Sequence, residues 1–143
     1  MAPSLRLTLV TLGVADVERA AGFYETLGLR RHMRDSKGVA FFDAGGAVLS
    51  LYGIDDLKRD TGLEKAAAGF SGVTLAFNAD SERSVDETLA AAENAGAKIL
   101  KGGHKVFWGG YIGYFSDPDA HVWEVAYNPQ FPLDDRGLIV LPA

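Results

Sequence analysis

The sequence contains no cysteine, which excludes disulfides, thiolate metal sites and cysteine nucleophiles and leaves the redox compartment open. Basic side chains are the minority: 14 Lys and Arg stand against 19 Asp and Glu, a formal net charge of -5. That balance argues against a nucleic-acid backbone or an anionic membrane surface as main partner, because both require clustered positive charge. No apolar run reaches the roughly 18 to 20 residues that cross a bilayer. The opening MAPSLRLTLVTLGVAD also has too short an apolar run, and no basic lead, for an export signal. The expectation is a cytoplasmic protein whose partner is a small molecule, with no nucleic acid and no membrane.

What is present is enough apolar residue to build a core. With 143 residues, 48% of them hydrophobic and 23% charged, the chain fits a single folded domain. Leu5 to Val14 reads as a strand, after which Asp16 caps a helix with an apolar face of Val17, Ala20, Ala21, Tyr24 and Leu27, closed by Gly28. The order returns in GVTLAFNAD (72–80) and SVDETLAAAENAGAK (84–98), where Ser84 and Glu87 read as a capping box and Gly96 as the stop. Superposing Asp16 on Asp80 aligns Ala15 with Ala79, Glu18 with Glu82 and Arg19 with Arg83, an offset of 64.

Short strand candidates follow each helix: LRRHMR, GVAFFDAG and AVLSLYG, then AKILKGG, GGYIGYFSD and HVWEVAY. Each half is therefore β-α-β-β-β, and the fold class is α+β. Module one covers 5–54 and module two 72–129; the charged stretch 55–71 reads as a linker, and the tail 130–143 as an added strand or edge cover. Asp117, Pro118 and Asp119 have the composition of a turn in which an aspartate accepts backbone hydrogen bonds. Arg6, Arg30, Arg31, Arg34 and Lys37 scatter around strand ends and read as a solvated face.

Paired β-α-β-β-β modules with VADVERAAGFYETLGL near the start and GGYIGYFSDPDAHVWEVAYNP near the end resemble the vicinal oxygen chelate superfamily. That superfamily holds glyoxalase I, extradiol dioxygenases, fosfomycin-resistance enzymes and bleomycin-binding proteins. The resemblance spans residues 5 to 129 and implies a glyoxalase-like fold, two tandem modules forming a half-open mixed-sheet barrel, and a homodimer. In metal-binding relatives four ligands, mostly His and Glu, come from the first and last strands of the modules. Carried onto this chain, those positions are Leu9 and Val73, each seven residues before an aspartate cap, and Leu49 and Glu124, each three before a tyrosine. One carboxylate among hydrocarbons cannot hold Zn, Ni or Fe, so no metal and no cofactor are expected.

Glu124 is then the residue that needs an explanation. Strand alternation puts it on one face with Val122 and Ala126, and the resemblance implies that this is the cavity face. It reads as a carboxylate satisfied by Thr11, a tyrosine hydroxyl or water, as an anchor for a ligand, or as a catalytic general base. The resemblance implies that the segment leading into the strand at GGYIGYFSD rims the pocket, where Trp108 and Tyr111 offer flat surfaces and Gly109 and Gly110 would allow movement. Either Phe41 or Phe42 faces the cavity, and the resemblance favours Phe41. The expected ligand-binding set is Trp108, Tyr111, Phe41, Thr11, Leu9, Leu49 and Val73. The first functional expectation is a metal-free protein that binds a hydrophobic or aromatic molecule. The second is a lyase, isomerase or dioxygenase using a non-standard metal site or Glu124 alone, and a scaffold without a small ligand is the third.

Overall fold

The computed structural model describes residues 7–63 and 70–142. The chain divides into two compact units, Met1–Ala66 and Ala67–Ala143.

In the first unit, β1 (Leu9–Val14), β4 (Val48–Gly53), β3 (Val39–Asp43) and β2 (Arg30–His32) form a sheet in that spatial order, with β1 parallel to β4 and the other pairs antiparallel. Helix α1 (Val17–Thr26) starts where the Asp16 carboxylate accepts a hydrogen bond from the Arg19 N–H, so the expected cap is in place. Its buried residues Ala20, Ala21, Phe23 and Tyr24 cover one face of the sheet. That face carries Leu12, Val14, Leu49, Leu51, Ala40 and Phe42, all buried. Arg31 shares it: its side chain is buried and pairs with Glu18 at 2.8 Å, so it is no part of a solvated basic face.

The stretch 55–71 is not simply a linker. Ile54–Thr61 forms a helix, α2, ended by Gly62 in the left-handed conformation at φ 76°. Only Ile54 and Leu57 give it an apolar side, and both lie over Gly13. Gly13 is on the face opposite α1, so α2 covers one end of that face, and the Tyr52 hydroxyl donates to Asp60 there at 2.9 Å. Residues 64–69 of the expected linker lie outside the described residues.

The second unit repeats the arrangement with β5 (Thr74–Asn78), β8 (Val122–Tyr127), β7 (Tyr111–Ser116) and β6 (Lys98–Lys105). Helix α3 (Glu82–Ala95) is capped by Ser81, whose hydroxyl accepts from the Ser84 N–H, and ends at Gly96, φ 114°. The cap is therefore one residue beyond Asp80, and the Ser84–Glu87 capping box does not form. This moves the repeat offset from 64 to 65, since Asp16 now corresponds to Ser81. Val85, Leu89 and Ala92 of α3 pack over Phe115 and Val125, while Phe115 and Trp123 stack with centroids 6.1 Å apart.

The expected turn at 117–120 is present. Asp117 is buried and its Oδ1 accepts the N–H groups of Asp119 and His121. In the tail, Leu133 and Ile139 form a single antiparallel bridge around Asp134 rather than a full added strand. No described helix is long and apolar enough to cross a membrane.

Candidate functional site

Strand register fixes which side chains share the face of each sheet turned away from α1 or α3, called here the open face. In the second unit Ala76 pairs with Glu124, and Glu124 with Tyr114. Paired residues lie on one face, so these side chains form a row across the sheet. The next strand extends it, because Tyr114 pairs with Lys101.

Glu124 sits at the middle of this row, half-buried, and its Oε2 accepts a hydrogen bond of 3.0 Å from the Tyr114 hydroxyl. A tyrosine hydroxyl, one of the partners open to it in the sequence, is thus hydrogen-bonded to it. Its surroundings are less apolar than expected, with Tyr114 on one side and Lys101 beyond. Burial and the adjacent carboxylate raise the Tyr114 pKa above its ordinary value of 10.0, so the phenol stays a proton donor throughout the neutral range. Sequence reasoning passed over Tyr114. The tight turn after Ser116 would have revealed it, since counting back from the Ser116–Val122 pair places Tyr114 opposite Glu124.

Three expected site residues need correction. Leu49 pairs with Val10 and Phe42, is 3% exposed and belongs to the α1 core; Ser50, buried beside Thr11, takes the place on the open face. Val73 precedes β5 and is 61% exposed; with the cap at Ser81, the position seven residues earlier is Thr74. Tyr111 points to the α3 side, where its hydroxyl donates to Asp86 at 2.8 Å. That hydrogen bond is the largest cause of its raised pKa. The misplacement of Leu49 and Val73 has one physical origin: a shift of one residue along a strand exchanges the two faces.

The other expected positions are placed as follows. Leu9 and Thr11 share the open face of the first unit, Leu9 being 42% exposed. Phe41 lies there too, paired with Ser50 and His32, whereas Phe42 is buried against Tyr24. Trp108 is half-buried at the turn between β6 and β7, its ring laid over Gly110 so closely that a Cβ there would come within 2.1 Å of it. The Val106 and Gly109 N–H groups close this turn, so its glycines serve a tight connection.

The corrected register changes which residues hold the carried-over positions in each unit. The first-strand and last-strand positions become Leu9, Ser50, Thr74 and Glu124, with both pairs standing in the same relation across their parallel strands. Leu9 and Ser50 in the first unit, and Thr74 beside Glu124 in the second, do not match the His and carboxylate donors that Zn, Ni or Fe takes. Among the described residues, no three His, Asp or Glu side chains are grouped to hold an ion. A separate hollow of about 300 Å³ lies between the ends of β5 and β8 and the tail, lined by residues including Asp80, Tyr127, Phe131 and Leu133. None of the Glu124 row takes part in it.

Comparison with known proteins gives this geometry a setting. The family described as Glyoxalase/Bleomycin resistance protein/Dioxygenase superfamily matches residues 6–125. A solved structure described as a glyoxalase-related enzyme from Fulvimarina pelagi is 30% identical, with a TM-score of 0.86 over 96% of this chain and 99% of that one. A glyoxalase/bleomycin resistance protein/dioxygenase from Nocardioides is 25% identical, with a TM-score of 0.72 over 89% of this chain and 85% of that one. Lactoylglutathione lyase from Agrobacterium tumefaciens is similar in fold, at 24% identity and a TM-score of 0.66 over 89% and 96% of the two chains. Comparison with curated proteins gives no match. With two β-α-β-β-β units and a family match over most of its length, the chain belongs to the glyoxalase/bleomycin resistance protein/dioxygenase superfamily.

Proposed function

We propose that the protein binds a small hydrophobic or aromatic molecule against the open face of the second unit, without the metal centre usual in its relatives, and with Glu124 as the polar anchor. The observation that carries this reading is the identity of the four inherited ligand positions, of which only Glu124 retains a metal-binding side chain. The carboxylate is half-buried and accepts from one phenol through Oε2, and among the described residues no hydrogen bond engages its second oxygen, which a ligand would meet.

The Tyr114–Glu124 hydrogen bond favours a second reading, in which Glu124 moves a proton of the bound molecule and the chain is an enzyme like the glyoxalase-related protein it resembles. Tyr114 would then orient the carboxylate rather than react. In both readings the Glu124 carboxylate touches the ligand, and they part on turnover.

Thermal-shift screening against aromatic acids, aromatic cations and antibiotics tests the binding reading, because a ligand of the folded state raises the melting temperature. A hit is expected to lose about tenfold or more in affinity on Glu124→Gln, the loss of a charge-assisted hydrogen bond of about 1.5 to 3 kcal/mol. A hit unaffected by this substitution would remove Glu124 from the site.

A further inference from the structure

The β6 edge of the Glu124 row carries a feature that strand alternation conceals. On β6, Lys98, Lys101 and His104 are three residues apart, a spacing that in a regular strand would turn Lys101 to the opposite face from the other two. The pairing is irregular at two places, between Ile99 and Lys101 and between Lys101 and His104. At each, β6 has one residue more than β7, the signature of a bulge. As a result Lys98 pairs with Ser116, Lys101 with Tyr114 and His104 with Ile112, and all three basic-type side chains lie on the open face. Lys105, by contrast, pairs with Tyr111 and points to the α3 side.

The electrostatics of the face follow. Lys98 and Lys101 are exposed, and no ion pair or hydrogen bond engages either among the described residues. The His104 Nδ1 lies 2.9 Å from the Gly102 carbonyl oxygen. A carbonyl only accepts, so Nδ1 carries the proton and Nε2 is left free. Neighbouring strands are about 4.8 Å apart, so the backbones at Lys101 and Glu124 are separated by about 10 Å with Tyr114 between them. The face therefore has a cationic edge, an aromatic middle and an anionic centre.

Resting on the reading that this face binds a small molecule, we propose that its ligand is an aromatic acid. Its carboxylate is held at β6 by Lys101, its ring lies over Tyr114, and a hydrogen-bond donor at its far end meets the Oε1 of Glu124. A neutral hydrophobic molecule would leave both charges unanswered, and a simple cation would be repelled from the β6 edge.

The test uses 4-aminobenzoate and its uncharged counterpart 4-aminobenzamide, followed by NMR titration of the isotope-labelled full chain. The carboxylate is expected to shift the amides of Lys101, Tyr114 and Glu124 saturably, and Lys101→Met to weaken it about tenfold or more. The amide should bind more weakly and respond little to that substitution, and Lys105→Met, an equal charge change on the other face, should leave both compounds within about twofold. Equal binding of the two compounds at these amides, or equal effects of the two lysine substitutions, would overturn the aromatic-acid proposal and leave binding on this face standing. Absence of shifts at Lys101, Tyr114 and Glu124 with 4-aminobenzoate would also overturn the aromatic-acid proposal, while the thermal-shift screen decides the wider binding reading separately.

Discussion

Phe42→Ala is expected to cost about 3 to 5 kcal/mol of stability and lower the melting temperature by roughly 10 °C or more, whereas Phe41→Ala costs less than half as much. The two residues are chemically identical neighbours on β3, and the difference comes from the face each occupies. Phe42 is 1% exposed and sits on the α1 face beside Leu49, with its ring 6.2 Å from that of Tyr24. Its removal leaves a cavity among side chains that are already closely packed. Phe41 points to the open face, where it is half-buried and pairs with Ser50. Chemical denaturation of the two variants reads the difference, and the reverse order would mean that β3 is displaced by one residue.

Gly113→Ala is expected to destabilise the second unit by about 1 to 3 kcal/mol through overpacking. A Cβ at this position would come within 2.5 Å of Leu89 Cδ1, 3.0 Å of the Lys101 carbonyl oxygen and 3.2 Å of the Gly103 nitrogen. The leucine tip can turn aside, but the two backbone atoms belong to the irregular part of β6 and cannot move without disturbing its pairing. Gly102→Ala is the comparison: a Cβ there meets nothing within 4 Å, so its effect should stay within about 0.5 kcal/mol. A denaturation midpoint for Gly113→Ala equal to that of Gly102→Ala would contradict the packing of α3 on β7. Because Lys101 flanks the same contact, loss of the bulge would also turn its side chain off the open face.

The elements were legible in the sequence and the faces only in part. Asp16 caps α1 as expected, the three strand candidates of each half form, and the Asp117 turn is built as its composition implies. The errors arise where two adjacent residues satisfy the same local rule. Asp80 and Ser81 are both good helix caps, and the choice between them rests on how α3 packs, not on propensity. In AVLSLYG nearly every residue is apolar, so alternation gives no phase, and only pairing with β1 assigns Ser50 to the open face and Leu49 to the core. Helix α2 was hidden because its apolar side is two residues in a charged segment, and these pack over Gly13, where the absence of a Cβ leaves room for Ile54. Lys101 reaches the Glu124 row through bulges next to Gly102 and Gly103, a glycine pair that signals irregular pairing but not its direction.

The pairing of β4 with β1 and the cap at Ser81 change which side chains stand at the positions carried over from metal-binding relatives. The replaced ligand positions are a leucine, a serine and a threonine rather than three hydrocarbons. Alcohols are weak donors beside imidazole and carboxylate for the borderline divalent metals, and they suit hydrogen bonding to an organic ligand better.

Metal content measured on protein purified without chelators tests this most directly. Fe, Ni, Zn and Mn are each predicted to lie far below one atom per chain, with the melting temperature unchanged when any of them is added. One atom of such a metal per chain, lost on Glu124→Gln, would contradict the account.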